Sequence, residues 1–371
     1  MMEIKNLKKT SLYDVHVKLN AKIINFSGFY MPVQYKSSLE EHMYVRNYSG
    51  LFDVSHMGKL IVKGKNSKKI LQYLTTNDLS KISPGQAQYT CFTNENGGII
   101  DDLVIYCLKH YEYLLIVNAI NIEKNKKWIL KNKKNNLLKL IDFSEKYSLL
   151  AIQGPLSIVY IQKLTSIILD KIPFYHFKIG DLCGIKNVLI SNTGYTGSAG
   201  IEIYVSNKYV KSIWNNILNI GNGKIIPCGI SSRNSLRLEM GYRLYGQDIS
   251  ENITPIESGL SWIVNFKKNF ISKDILIKQK KSGVYKKFLS FYINDLKVCI
   301  PRNGHKIIDE YNNIIGFVTS GSYSPIIKKC IGLGYLYKNY SKITNMFILI
   351  RNKKISIKIK KLPFIKIKKV N

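Results

Sequence analysis

The stretch Asn94–Tyr106, NENGGIIDDLVIY, sets a glycine-rich turn directly before two adjacent aspartates that run on into an apolar segment. An Asn96–Gly97 pair readily adopts the positive φ angles of a tight turn, so this stretch reads as a hairpin joining QYTCFT (88–93) to IIDDLVIY (99–106). A polar break at Lys109–His110 and the segment YEYLLIVNA (111–119) extend it to a three-strand meander. Strand side chains alternate faces, which groups Ile100, Asp102, Val104 and Tyr106 on one side and Ile99, Asp101, Leu103 and Ile105 on the other. The carboxylates then point apart. That arrangement excludes a proton-sharing dyad and weakens a chelating metal site, and a calcium loop would carry its acids before the glycines. One aspartate is left to face solvent or cap a neighbour, and the other to face a cavity.

Outward from the meander, GKLIVKG (58–64) reads as a strand, and SSLEEHMYVRNYSG (37–50) as a short helix with Ser38 as N-cap, Glu41 completing a capping box and Gly50 as the stop. A second helix is expected from Ser231 to Gly241. NFISKDILIKQKKSG reads as a charged helical connector. The rest, from FLSFYINDLKVCI onward, is a succession of short alternating segments that predicts an all-β barrel or sandwich. The expected division is 1–265, 266–284 as connector and 285–371, within an α+β fold.

The chain has 371 residues and a net charge of +32, which invites a nucleic-acid reading. The excess is spread along the whole chain and is almost all lysine, accompanied by isoleucine and asparagine, as A+T-rich codon usage produces. Arginine, the residue suited to bidentate phosphate and base contacts, stands only at positions 46, 233, 237, 243, 302 and 351. A solvated lysine surface is the better reading, with no nucleic acid as partner. No run approaches the roughly 18 apolar residues of a membrane helix, and the start lacks an apolar leader, so a cytoplasmic protein is expected. The six cysteines are scattered without a C-x-x-C pair, fitting reduced buried thiols rather than a zinc site. His56, in DVSHMG, reads as a core or loop histidine.

Read together, ordered stretches along the whole chain resemble the aminomethyltransferase or T-protein family of the glycine cleavage system. They are NFSGFYMPVQY (25–35), GLFDVSHMG (50–58), TNENGGIIDDLVIY (93–106), LLIVNAIN (114–121), AIQGP (151–155), NTGYTGSAGIEIYV (192–205), GISSRNSLRLEMGYRLYGQDI (229–249), ENITPIESGLSWIV (251–264) and GFVTSGSYSP (316–325). The resemblance implies a three-domain, cloverleaf-like fold with tetrahydrofolate in a central channel. It also implies Asp102 as the catalytic carboxylate, Glu202 and Arg233 at the folate, and Tyr89, Tyr106, Asn118 and Tyr195 as lining residues. The implied partner is the lipoylated H-protein, to an acidic face of which Lys59 and other lysines could dock, and the implied state is a monomer.

The chemistry suits these residue types. Transfer of a one-carbon unit from an aminomethyl-lipoyl arm to tetrahydrofolate develops positive charge and requires removal of a proton from nitrogen, both of which a positioned carboxylate serves. Glu202 can accept two hydrogen bonds from an amino-pyrimidinone edge, and the Arg233 fork can bind a carbonyl or carboxylate. No metal and no nucleophilic Ser–His or Cys–His set is called for. Two readings compete: a folate-linked demethylase of a methylated amine, and a non-catalytic folate- or RNA-binding relative, whose K-G-C-Y-x-G-Q-E segment is absent. Phe29–Tyr30, Ser198–Ala199 and Asn234 depart from the family pattern of Trp–Glu, Glu–Asp and Asp. The last two changes remove three acids near the expected site, and weaker folate affinity follows if those acids orient Arg233. The C-terminal LPFIKIKKVN also lacks the aromatic or arginine ending that some members direct at the folate tail.

Overall fold

The computed structural model describes residues 7–133, 138–293, 300–340 and 345–367. Of the sequence readings, NDLKVC (294–299) with Cys299, the start of the chain and the last four residues lie outside that range.

Alternation along the strands builds four layers. The five-stranded sheet runs in the spatial order Ala87–Thr93, Ile99–Lys109, Glu112–Val117, Gly58–Lys63, Lys139–Asp142. The six-stranded sheet runs Phe177–Leu182, Ile185–Ser191, Gly200–Ser206, Tyr147–Gln153, Gly50–Asp53, Ile226–Pro227. One side of each strand feeds a core shared by both sheets, to which Ile61, Tyr106 and Ile116 contribute from the first sheet and Phe52, Leu149, Ala151 and Tyr204 from the second. The opposite sides, Leu60, Val62, Leu103 and Ile105 on one sheet and Leu150, Ile152, Ile201 and Ile203 on the other, bury the apolar stripes of helices Ser67–Leu74, Ile122–Asn132 and Asn207–Gly221. The strands from Lys286 to Ile359 close into the expected barrel, in the order Lys286–Ile293, Lys329–Tyr337, Ile314–Ser324, Lys306–Ile308, Met346–Ile350, Lys353–Ile359. No helix among the described residues is long and apolar enough to cross a membrane.

The meander forms as expected, with two corrections. Only Gly97 takes a positive φ, and the turn is organised by Asn94, whose Oδ1 accepts from the backbone N–H groups of Asn96 and Gly98 at 3.0 and 2.9 Å. It is therefore an Asx-type loop rather than a two-residue Asn–Gly turn. A bulge follows: Phe92 pairs with Asp101 and Thr93 with Ile99, leaving Ile100 unpaired. The extra residue reverses the alternation upstream of the aspartates. Ile100 thus joins Leu103 and Ile105 in the outer core, while Ile99 lies with Cys91 and Tyr89 beneath the segment that carries Ile249 and Ile253.

The second glycine of the turn answers a steric demand. A Cβ on Gly98 would lie 1.6 Å from the carbonyl oxygen of Glu251. That close approach lets Ile99 N–H reach the carbonyls of Ser250 and Ile253 at 3.1 and 3.0 Å.

Helix Ser38–Asn47 forms, but Ser38 is not its cap and the capping box is absent. Glu41 reaches elsewhere, accepting from Tyr35 N–H at 2.7 Å, Gly229 N–H at 2.8 Å and the Ser232 hydroxyl at 3.1 Å. Its carboxylate therefore serves the N-terminus of the next helix, Ile230–Met240, where backbone N–H groups lack partners and favour an anion. At the other end Gly241 takes the left-handed conformation that stops that helix.

The barrel is tied to this helix by a buried pair. Arg237 donates to Asp248 Oδ2 at 2.6 Å, to the Tyr242 carbonyl at 2.8 Å and to Ser320 Oγ at 2.9 Å, while Thr319 and Leu244 N–H complete Asp248 at 2.5 and 3.0 Å. Removing one member of such a pair leaves an uncompensated buried charge. Asp248→Ala is expected to lower unfolding free energy by about 3–5 kcal/mol in a urea titration; a loss below about 1 kcal/mol, the range of exposed pairs, would contradict the role given to the pair.

Candidate active site

Asp101 and Asp102 leave their strand on opposite sides, and the loop after the third meander strand gathers both. Asp101 is 0% exposed. It accepts from Asn118 N–H at 3.1 Å, Asn118 Nδ2 at 2.8 Å, Asn121 Nδ2 at 2.6 Å and Asn125 Nδ2 at 2.6 Å. It is the capping aspartate of the two, fixing the entry to helix Ile122–Asn132, although it faces no solvent. Asp102 is half-buried and holds two polar partners, the Tyr89 hydroxyl at 2.9 Å on Oδ2 and Asn118 Nδ2 at 2.8 Å on Oδ1. Asn118 thus spans both carboxylates with one amide. Burial pushes both acids upward, and for Asp101 the neighbouring charge of Asp102 adds to it, while the asparagine amides pull the other way.

The six-stranded sheet and the helix Ile230–Met240 supply the other side. Glu202 is half-buried and accepts from Thr193 Oγ1 at 2.5 Å. Thr193 in turn is 3.1 Å from the Tyr106 hydroxyl, to which Tyr204 donates at 2.8 Å. A chain of hydroxyls therefore runs from the inter-sheet core to Glu202. Tyr106 itself is fully buried, so it supports this chain from behind. Burial raises the Glu202 carboxyl, with the Arg233 charge partly opposing. Arg233, in the first turn of its helix, lies 4.8 Å above the Tyr195 ring. Its Nη1 is buried without a hydrogen-bond partner, and it forms no ion pair among the described residues. Tyr195 stacks on Tyr242 at 5.6 Å and donates to the Arg243 carbonyl.

The two halves face one another. Burial raises the Tyr195 hydroxyl, with the Asp102 charge adding to it and those of Arg237 and Arg233 opposing; burial also raises Tyr175, to which Tyr106, Tyr242, Glu202 and Asp102 all add. Sequence reading missed Tyr175. It holds φ at +60°, sparsely populated for an aromatic residue, while its N–H and C=O are bonded to Asn192 and Ala87 at 3.0 and 2.7 Å. Nothing in the local PFYHF sequence marks that conformation, which is imposed by contacts with distant segments. Trp262 was missed as well; it is 69% exposed and stacks on Tyr89 at 6.0 Å.

Other expectations are corrected here. Lys59 is buried, with Nζ on the Ser55 carbonyl at 2.7 Å and its pKa pulled down to about 8 by burial, so it is not a docking lysine. The departures at 198 and 234 do not bear on Arg233 directly. Ser198 Oγ accepts from Arg46 at 2.8 Å and Asn234 Oδ1 from Arg237 at 3.0 Å.

Two family models cover nearly all of this architecture: the GCVT N-terminal domain matches residues 12–268 and the glycine cleavage T-protein C-terminal barrel domain matches 286–366. The chain belongs to the glycine cleavage T-protein family. An aminomethyltransferase of Flavobacterium psychrophilum is 46% identical over 97% of this chain and 100% of that protein. One of Caldanaerobacter subterraneus subsp. tengcongensis is 47% identical over 94% of this chain and 93% of that protein. The crystal structure of glycine cleavage system aminomethyltransferase T from Bartonella henselae superposes with a TM-score of 0.91 at 28% identity, covering 98% of this chain and 99% of that one. The T-protein fold expected from the sequence, with its C-terminal barrel, is therefore the fold of this chain.

The raised Glu202 carboxyl has a stability consequence with a definite sign. A carboxyl whose pKa is higher folded than unfolded contributes fully below its unfolded value, and that contribution is lost as pH rises through the folded value. Glu202→Gln removes this titration. The thermal midpoint of the variant minus that of wild type is expected to become more positive from pH 4 to pH 8 in ligand-free protein; a difference that stays flat or declines would contradict the assignment.

Proposed function

We infer that this chain is the tetrahydrofolate-dependent aminomethyltransferase of a glycine cleavage system, taking the methylene carbon from the aminomethyl-lipoyl arm of H-protein and releasing ammonia as 5,10-methylenetetrahydrofolate forms. The observation that carries the site assignment is the buried, unpartnered Nη1 of Arg233 beside half-buried Glu202, opposite Asp102. Buried guanidinium donors are rarely left unpaired, and a polar ligand edge supplies what is missing. An amino-pyrimidinone edge fits the pair chemically. Its N–H groups can donate to Glu202, which brings that carboxyl back toward its ordinary range, and its carbonyl can accept from Arg233. Tyr195 is the ring beneath Arg233. Tyr175, within electrostatic reach of both Glu202 and Asp102, belongs with it as a lining residue.

At the other end, Asp102 does the work of a charge-stabilising and proton-handling group. Tyr89 and Asn118 each occupy one of its oxygens, so the carboxylate is aimed before substrate arrives and loses little orientational freedom at the moment of reaction. Its proton affinity, raised by burial, favours taking up a proton from nitrogen. Asp101 is a positioning residue, acting through Asn118. Tyr106 acts through Thr193 on Glu202. Residues 1–265 form the folate-binding region, 266–284 a connector and 285–371 the barrel unit of a cytoplasmic, monomeric enzyme.

Asp102→Asn is expected to lower turnover by about 10² to 10⁴ while tetrahydrofolate binding is largely kept, assayed with aminomethylated H-protein. Asp101→Asn should instead cost stability, about 1–3 kcal/mol, because amide donors then face an amide donor. Wild-type turnover in Asp102→Asn removes that residue from the mechanism, and activity on dimethylglycine exceeding that on the lipoyl-bound group would favour the demethylase reading.

A further inference from the structure

Arginine is scarce in this chain, six residues among 56 basic ones, so the places where it stands invite a comparison of what lysine could not do there. Four of the six explain themselves. Arg46 donates through Nε and Nη2 to Glu239 at 3.0 and 2.8 Å and through Nη1 to the Thr196 carbonyl at 2.7 Å. Arg243 bonds the Ser258 carbonyl through Nε and Nη2 at 2.9 and 2.6 Å and the Gly241 carbonyl at 2.8 Å. Arg237 and Arg233 have been described. Arg46, Arg237 and Arg243 each use the planar fork, which a lysine ammonium cannot reproduce, and Arg233 is the one whose buried Nη1 is left for a ligand in the site described above.

The remaining two, Arg302 and Arg351, are exposed, and neither guanidinium has a hydrogen-bond or ion-pair partner among the described residues. Both line one depression of about 340 Å³ at the barrel, together with His305, Ile300 and Ile350. Among the described residues no carboxylate lines it. His305 Nδ1 accepts from Arg302 N–H at 3.2 Å, which leaves the proton of the neutral ring on Nε2. Burial and the Arg302 charge also lower the proton affinity of the ring. Arg351 occupies an unfavourable backbone position. With Asn352 it makes the two-residue turn between Met346–Ile350 and Lys353–Ile359, at φ of +46° and +62°, where glycine, asparagine or aspartate is the ordinary first residue. A long cationic side chain has been placed where the backbone resists it.

We propose that Arg302, His305 and Arg351 form an oxyanion site on the barrel for the phosphate group of a small organic phosphate, whose body lies on Ile300 and Ile350. The depression is at the small end of the range of ligand pockets, which limits the guest to a single phosphate with a compact apolar or planar body. Two guanidinium forks give bidentate recognition of phosphate oxygens, and the isoleucines supply the apolar contact. The site is separate from the folate region and does not depend on the assignment of Asp102.

Phenyl phosphate titrated calorimetrically into the full chain tests this. Wild type is expected to bind it saturably and more tightly than inorganic phosphate, because only the ester uses the apolar floor. The Arg302→Lys/Arg351→Lys double variant keeps the net charge and is expected to lose about tenfold in affinity, since lysine cannot make the fork. Its thermal midpoint serves as the folding check. Equal affinity of variant and wild type would mean diffuse attraction by the lysine surface and overturns the site, as does the absence of saturable binding by wild type. Indifference between phenyl phosphate and inorganic phosphate overturns the role of the isoleucines.

Discussion

The side-chain amide of Asn118, placed between two carboxylates, is the contact on which the rest of this site depends. Its Nδ2 lies 2.8 Å from an oxygen of each aspartate. Asp101 is fixed by four amide N–H groups in the outer layer, and Asn118 carries that rigidity through the sheet to Asp102 in the inner one. Two acids held this close without a counter-ion cost free energy, since burial and mutual charge both favour protonation. The asparagines offset that cost by offering donors only. The outcome is one carboxyl locked as a structural acceptor and a second left with capacity to act.

The opposite half of the site is aimed by devices of the same kind. Glu41 sits at the N-terminus of the helix that bears Arg233, and the Arg237–Asp248 pair fastens that helix to the barrel. Gly98 lets the 250–253 segment close on the turn before the aspartates, so that segment is hydrogen-bonded directly to the meander. Each device spends a polar or sterically demanding group on orientation. Burial of apolar surface holds the layers together; these polar contacts determine where the layers place Asp102, Glu202 and Arg233.

Much of this could be read in the residues. The meander, the barrel, the helix ending at Gly241 and the opposed faces of the two aspartates follow from periodicities and turn chemistry that act over a few residues. What could not be read depends on contacts between distant segments. The bulge at Phe92–Thr93 moved Ile100 to the other face, and no local pattern announces it. Glu41 has the spacing of a capping box, yet a partner helix almost 190 residues onward competes for its carboxylate and wins. Lys59 looks like any surface lysine until its strand is placed inside a sheet, between Glu112–Val117 and Lys139–Asp142. Tyr175 owes its strained conformation to hydrogen bonds with segments before and after it in the chain.

The central claim is that one pocket presents Glu202 and Arg233 to a pterin edge while Asp102, aimed by Tyr89 and Asn118, meets the nitrogens that receive the carbon. A crystal structure of the chain with 5-methyltetrahydrofolate tests it most directly. The account predicts the pterin edge on Glu202 with Arg233 Nη1 newly bonded, and an Asp102 oxygen turned toward N5 and N10 of the folate. A folate bound elsewhere, or bound here with Arg233 Nη1 still unpartnered and Asp102 remote from both nitrogens, would contradict it.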